Sequence, residues 1–258
     1  AKMNLAIRGI DANLGDSHGD TFLDDKHKNL KADYILANPP FNISDWGQPR
    51  LLGDSRWKWG VPSASNANYA WISHILSKLS PKGIAAFLLS SNSTSSEPEI
   101  RKKIIQEGFV KSIVFLPPKL FYSTPISPVI WIVSKNPNFE NKKILFMDLS
   151  REVSKDDDDK KYNKLSDDTI QKTSSIFKKF LKDNQEIHVD SFAKSTSLKD
   201  IESNDYDLNP KRYINYDNEN LNENKSLEEI KSEVIELSND IRITISEIAE
   251  LIGDLNET

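Results

Sequence analysis

The chain has 258 residues, 37% of them hydrophobic and 28% charged, with a formal net charge of −5 and no cysteine. That composition suits one large domain with a polar extension, excludes disulfides, thiolate metal sites and a thiol nucleophile, and offers no run of the ~18 apolar residues that a membrane span needs. The acidic balance is unlike that of a protein that grips nucleic acid unaided, so any such task points to a partner.

No secretory leader pattern opens the chain, and a cytoplasmic location with no membrane contact is expected. The four histidines, His18, His27, His74 and His188, lack metal-ligand spacing. Residues 1–10 carry Met3, Leu5, Ala6, Ile7 and Ile10 at helical spacing. Residues 13–23 predict a short strand and turn, with Asp20 and Thr21 at its end. The apolar run Tyr34-Ile35-Leu36-Ala37 predicts a short buried strand, and Asn38-Pro39-Pro40-Phe41 follows it directly. An amide oxygen and a neighbouring main-chain carbonyl can accept both protons of one exocyclic NH2 group. The nitrogen then loses planarity and exposes its lone pair. The prolines fix φ and bring no N–H of their own. Phe41 offers a flat apolar face for a planar base. The same tetrapeptide also serves as a plain turn at a strand end.

Residues 42–62 mix Trp46, Trp57 and Trp59 with Arg50, Arg56 and Lys58. Basic residues interleaved with aromatics suit a loop that touches phosphates and a displaced base, and equally a lid whose tryptophans pack on the domain. Residues 68–79 carry a helical stripe, Tyr69, Ile72, Ile75, Leu76 and Leu79, stopped by Pro81-Lys82-Gly83. Residues 84–89 predict a buried strand and residues 90–96 a polar loop of small side chains. Ser96 with Glu99 predicts a capping box on a helix that buries Ile100, Ile104 and Ile105 and ends at Gly108. Strands are predicted at 110–116, 129–133 and 143–147, the last two as an antiparallel hairpin across Asn136-Pro137. Phe121 and Tyr122 precede the second of these and suit either stacking or core packing. The fold class is therefore α/β with a mostly parallel sheet and a terminal antiparallel hairpin.

Beyond residue 150 the pattern changes. Four consecutive aspartates flanked by lysines predict a solvated loop. Ser166 and Ser197 predict caps on two further helices, and residues 205–213 close the globular part with Arg212 available for an ion pair. Residues 218–224 read as a linker. The tail then repeats every seven residues through Leu227, Ile230, Val234, Leu237, Ile241, Thr244, Ile248, Leu251 and Leu255, a coiled-coil signal over four heptads. The domains expected are 1–150, a helical extension at 151–217, and a linker with a partner-binding helix at 218–258.

Together, Gly19-Asp20-Thr21-Phe22-Leu23, residues 33–46, residues 53–60 and the blocks 84–96, 113–127 and 205–213 resemble the adenine-N6 DNA methyltransferases. Most specifically they resemble the modification subunits of type I restriction-modification systems. The resemblance implies a partial Rossmann-like methyltransferase sheet and S-adenosylmethionine as cofactor. It gives Asn38, Pro39, Pro40 and Phe41 the catalytic roles, Asp20 and Thr21 contact with the cofactor, and Arg50, Arg56 and Lys58 contact with DNA. It also implies a specificity subunit and a restriction subunit as partners, the former meeting the heptad tail and choosing the DNA sequence. One family feature is missing. Gly9, Gly15 and Gly19 follow no apolar strand and form no strand–turn–helix loop around a cofactor. This leads to the expectation that the chain is the C-terminal part of a longer subunit. Two other readings keep part of the pattern: a methyltransferase acting on a protein glutamine, and a catalytically dead assembly module.

Overall fold

The structure, a computed structural model, describes residues 2–121, 126–137, 143–155, 162–183 and 185–216, together with position 238. The chain divides into two units, Ala1–Asn215 and Tyr216–Thr258. The heptad tail and the aspartate run lie outside the described residues, and every element below belongs to the first unit.

A short helix α1 (Lys2–Ile7) buries none of its residues. Strand β1 (Ala32–Ala37) is followed by helix α2 (Asn68–Lys78) and strand β2 (Leu79–Ser90). Helix α3 (Pro98–Gln106), β3 (Val110–Phe115), β4 (Pro128–Ser134) and β5 (Lys143–Asp148) come next. A small ribbon pairs β6 (Ser154–Lys155) with β7 (Asn163–Lys164). Helix α4 (Asp167–Asp183), β8 (His188–Val189), β9 (Ala193–Ser197) and α5 (Leu198–Glu202) complete the unit.

Seven strands form one sheet in the order β1-β2-β4-β3-β5-β9-β8. Strands β1, β2, β3 and β5 run the same way, and β4 is inserted antiparallel between β2 and β3. This corrects the expected hairpin of β4 with β5. Both edges of β4 are taken by β2 and β3, so β5 crosses to the free edge of β3 and pairs with it in parallel, Ile113 opposite Phe146. The antiparallel hairpin lies farther on, where β9 pairs with β5 and β8 with β9. The stretch after residue 150 thus adds strands to the sheet as well as helices.

Alternation along the strands separates two cores. On one face Phe87 stacks parallel to Trp131 with ring centroids 6.3 Å apart, and Tyr69 of α2 meets Trp131 edge-on at 6.2 Å. All three are nearly inaccessible to solvent, and each such side chain contributes roughly 1.5–3 kcal/mol of burial. On the other face Val114, Leu145, Met147 and Leu149 pack with Phe180 of α4 and with Phe192. That cover stops short of the β1 end. Strand β1 is an edge strand with Tyr34 82% and Leu36 86% exposed, which corrects its reading as a buried strand. An apolar run of four residues looks alike whether one or both of its faces are covered.

Two boundaries also differ. The expected capping box of α3 does not form. Glu97, in the left-handed region at φ 48°, is the N-cap, Pro98 follows it, and the Glu97 carboxylate accepts from Ser63 N at 2.8 Å. Helix α2 passes into β2 without a loop, and Pro81 to Gly83 bulge out between the pairs Ala32–Leu79 and Tyr34–Ile84. The caps expected at Ser166 and Ser197 are present, accepting from Thr169 N at 3.1 Å and Asp200 N at 3.2 Å.

Candidate active site

The sheet delivers Asn38 to the C-terminal end of β1, where Pro39 and Pro40 turn the chain away. Pro39 is buried, Phe41 is half-buried and Asn38 is exposed. The Asn38 carboxamide makes no hydrogen bond among the described residues, which leaves its oxygen free to accept. Asn38 lines two cavities. One, of about 450 Å³, is bounded by Asn38, Pro39, Pro40, Phe41 and Asn42 on one side and Phe121 and Ile126 on the other. The second, about 440 Å³ and strongly apolar, runs over Leu36, Ala37, Ala86, Leu88, Leu116 and Ile130. Both fall in the size range of small-ligand sites.

Behind the tetrapeptide is a polar network that the sequence reading did not anticipate. Asn42 sits at φ 55°, a left-handed conformation that asparagine tolerates better than most residues. Its side-chain oxygen accepts from Asn66 Nδ2 at 3.0 Å, Asn68 Nδ2 at 2.9 Å and Ser90 Oγ at 2.9 Å. In return its backbone N–H donates to Asn68 Oδ1 at 3.1 Å. Asn68 is buried at the first turn of α2, and Ser90 ends β2. The turn that carries Phe41 is therefore fastened to a helix and to the neighbouring strand. Four asparagines within the fifty or so residues after the motif were the available signal.

The next loop is held just as firmly. Residues Ser91–Thr94 form a 3₁₀ turn, with Ser93 O accepting from Tyr69 Oη at 2.9 Å and Ser93 Oγ from Trp131 Nε1 at 2.9 Å. Burial raises the Tyr69 phenol far above its usual pKa. The 205–213 block clasps this loop from outside. Leu208 N donates to Thr94 O at 3.0 Å, Arg101 Nε donates to Tyr206 O at 2.8 Å, and Arg212 pairs with Asp207 at 3.0 Å.

The other predicted site residues are placed elsewhere. Trp46, Trp57 and Trp59 are all buried, donating to Ser63 O at 2.8 Å, Leu51 O at 2.7 Å and Glu107 Oε1 at 2.9 Å. Trp46 and Trp57 form a core with Phe22, Ala67 and Ala70. Arg56 is an internal brace: its guanidinium takes both oxygens of Asp54 and donates to Thr21 O and Phe22 O. Its Nη1, which donates to Thr21 O, also lies 3.1 Å from His74 Nδ1. Burial and the Arg56 charge pull His74 down to about 4, so the ring is neutral near pH 7. Lys58 pairs with Glu107 at 2.7 Å, and Arg50 sits exposed on a 3₁₀ turn. Asp20 caps its own turn, accepting from Phe22 N at 2.8 Å and Leu23 N at 2.9 Å. Neither Asp20 nor Thr21 lines a cavity with Asn38. Tyr122 lies outside the described residues.

Comparison with known proteins decides the family. The family model described as N-6 DNA methylase matches residues 1–222. The chain belongs to the N-6 DNA methylase family. The type I restriction enzyme HindI methylase subunit of Haemophilus influenzae is 38% identical over 218 residues, covering 83% of this chain and 48% of its own. The MjaIX methylase subunit of Methanocaldococcus jannaschii is 36% identical over 228 residues, covering 83% and 40% respectively. Among solved structures, the type I restriction-modification system methyltransferase subunit of Streptococcus thermophilus superposes with a TM-score of 0.72. It is 27% identical and covers 84% of this chain and 45% of that one. This N-6 DNA methylase chain thus spans just under half the length of the relatives it matches. The residues described place an unbonded carboxamide, two prolines and an aromatic ring on one cavity at Asn38 to Phe41. They do not converge on a cradle for S-adenosylmethionine, because the predicted contacts Asp20 and Thr21 face neither cavity beside Asn38.

Proposed function

We propose that this chain carries the adenine-accepting part of a DNA methyltransferase that methylates N6 of adenine in duplex DNA. In this reading it acts within the modification subunit of a type I restriction-modification complex. The observation that supports it most is the exposed, unpartnered Asn38 carboxamide, set at a strand end and bordered by two prolines, a phenylalanine and an open cleft. The target amine is inside the helical stack, so its nucleotide is rotated out at a cost of a few kcal/mol. The base enters the cleft between Phe41 and Phe121 and stacks on Phe41. Asn38 Oδ1 and the Pro39 carbonyl accept the two amine protons, which turns the nitrogen lone pair out of the ring plane. S-adenosylmethionine supplies a methyl group on a positively charged sulfur. Transfer of that methyl to the neutral amine would leave a neutral thioether and a cationic nitrogen that then sheds one proton to solvent, so the described residues act by positioning and electrostatics rather than as a strong base.

The same family reading gives the chain a specificity subunit and a restriction subunit as partners, with residues 218–258 as the segment that meets the former. Arg50 is the DNA-facing cation of the 42–62 loop, whereas Arg56 acts as a brace. The test is methyl transfer from labelled S-adenosylmethionine to duplex DNA by the assembled protein, with the product base identified by mass spectrometry. N6-methyladenine is expected with Asn38, and Asn38→Ala is expected to lower its formation at least 100-fold while leaving the fold intact. Retained turnover in Asn38→Ala, or label that enters protein glutamine alone, overturns the proposal.

A further inference from the structure

A second basic feature lies at the opposite end of β1 and is not used by the chemistry above. A cavity of about 580 Å³ opens there, and Lys28, Lys31, Lys58 and Lys135 all line it. Two other cations on its wall are already matched: Arg56 by Asp54 at 2.7 Å and Lys78 by Asp25 at 2.5 Å. Lys58 is paired with Glu107. Lys28, Lys31 and Lys135 have no carboxylate partner within ion-pair distance among the described residues. Lys31 is tied instead to the last turn of α2, donating to Ser77 O. Lys135 is held in place by its own N–H, which donates to Gly83 O at 3.0 Å where β4 ends. The convergence has an electrostatic cost. Partial burial pulls the Lys135 ammonium below its usual value, and the charges of Lys31 and Lys58 pull it further. Glu107 opposes that pull, but it is already paired with Lys58, and Asp25 and Asp54 on the wall are taken by Lys78 and Arg56, so three ammonium groups remain in excess in a concave site and mark a place for an anion.

We propose that this cavity is a phosphate site that holds the sugar–phosphate backbone of duplex DNA flanking the target adenine. This rests on the reading that duplex DNA is the substrate. Two observations favour a nucleic acid over an acidic protein segment. Lys31 directly precedes β1 and Asn38 directly follows it, so the six-residue strand puts the lysines ~20 Å from the cleft. At 3.4 Å per base step, a duplex seated at Asn38 reaches that point after about six base pairs. The Trp59 and Phe109 rings on the cavity wall pack against each other at 5.8 Å rather than opening as a stacking platform, which suits backbone contact without base readout.

The test measures binding of a fluorescent 20-base-pair duplex by the full chain over a range of low salt concentrations. Lys31→Gln and Lys135→Gln are compared with Lys179→Gln on the exposed side of α4. Each cavity variant is expected to weaken binding about 3- to 10-fold and to lower the slope of log affinity against log salt by about 1, while Lys179→Gln changes neither. Unchanged affinity and slope in both cavity variants overturns the proposal and leaves the function reading standing. No duplex binding by the wild-type chain overturns the proposal and leaves the function reading, which the assembled protein tests, standing. Two competitor arms identify other ligands. If inorganic phosphate binds in a lysine-dependent way while duplex affinity is insensitive to the lysines, the site takes a free anion. If only polyglutamate shows lysine dependence, it takes an acidic protein segment. Either result overturns the DNA form.

Discussion

In the proposed chemistry, the placing of Asn38 depends on a buried residue outside its cleft. A free carboxamide at a strand end is mobile unless the backbone beneath it is fixed, and here that is done by one buried amide. Asn68 offers both ends of its side chain: Nδ2 donates to Asn42 Oδ1 and Oδ1 accepts from Asn42 N. Truncation to alanine leaves the Asn42 backbone N–H without its partner and removes one of three donors from the Asn42 oxygen. The expected cost is about 1–3 kcal/mol, read from the urea midpoint of the full chain. Turnover falls further than stability explains, on the order of 10- to 100-fold, because the turn carrying Phe41 loses its registration with Asn38. Asn68→Ala with normal turnover and normal stability would mean that Asn66 and Ser90 hold Asn42 without help.

At the scale of elements, the sequence reading succeeded where the signal was local. The stripe in α2, the serine caps of α4 and α5 and the run at 110–116 each follow from spacing within a dozen residues. The place of the tetrapeptide at the end of β1 was legible for the same reason. Three things were not. The place of β4 between β2 and β3 is a long-range pairing, which periodicity along one strand cannot report. The exposure of β1 depends on what covers Leu36, not on Leu36. The asparagine network joins residues 24 to 48 positions apart, and the tryptophan cluster could be read equally as lid or as binding surface. The bulge in β2 shows the same limit, since Pro81-Lys82-Gly83 signals a stop but not a strand that resumes in register. Gly83 is required there. A Cβ at this position would lie 2.7 Å from Ala32 O and 2.9 Å from Leu79 Cδ2. Gly83→Ala is expected to destabilise the chain by about 1–3 kcal/mol through forced backbone displacement, measured by urea unfolding. Gly53→Ala is the control, since nothing lies within 4 Å of its added methyl, and should stay within about 0.5 kcal/mol of wild type. Equal effects would mean that the bulge yields freely.

For the unit as a whole, the notable asymmetry is a sheet covered along most of its width and bare at one margin. Strand β1 pairs only with β2 among the described residues, so the hydrogen-bonding groups on its outer edge face solvent beside Tyr34 and Leu36. The apolar cavity over Leu36, Ala86, Leu88 and Ile130 continues that margin inward to Asn38. An edge strand with large apolar side chains, its one charged residue Asp33 lying near its start and bonded to Ser80 Oγ, is a template for pairing with another chain. The full chain is therefore expected to self-associate as its concentration rises, seen as growth in weight-average mass by sedimentation or light scattering. Leu36→Lys adds a charge at a position with almost no buried contact, so it should suppress that growth while changing folding stability by less than about 0.5 kcal/mol. Salt separates this from contacts at the lysine cavity. Ammonium sulfate strengthens apolar association, whereas added salt weakens phosphate binding. A wild-type chain that stays monomeric at every concentration would show that the bare margin is already protected. Association that survives Leu36→Lys would place the contact on another surface.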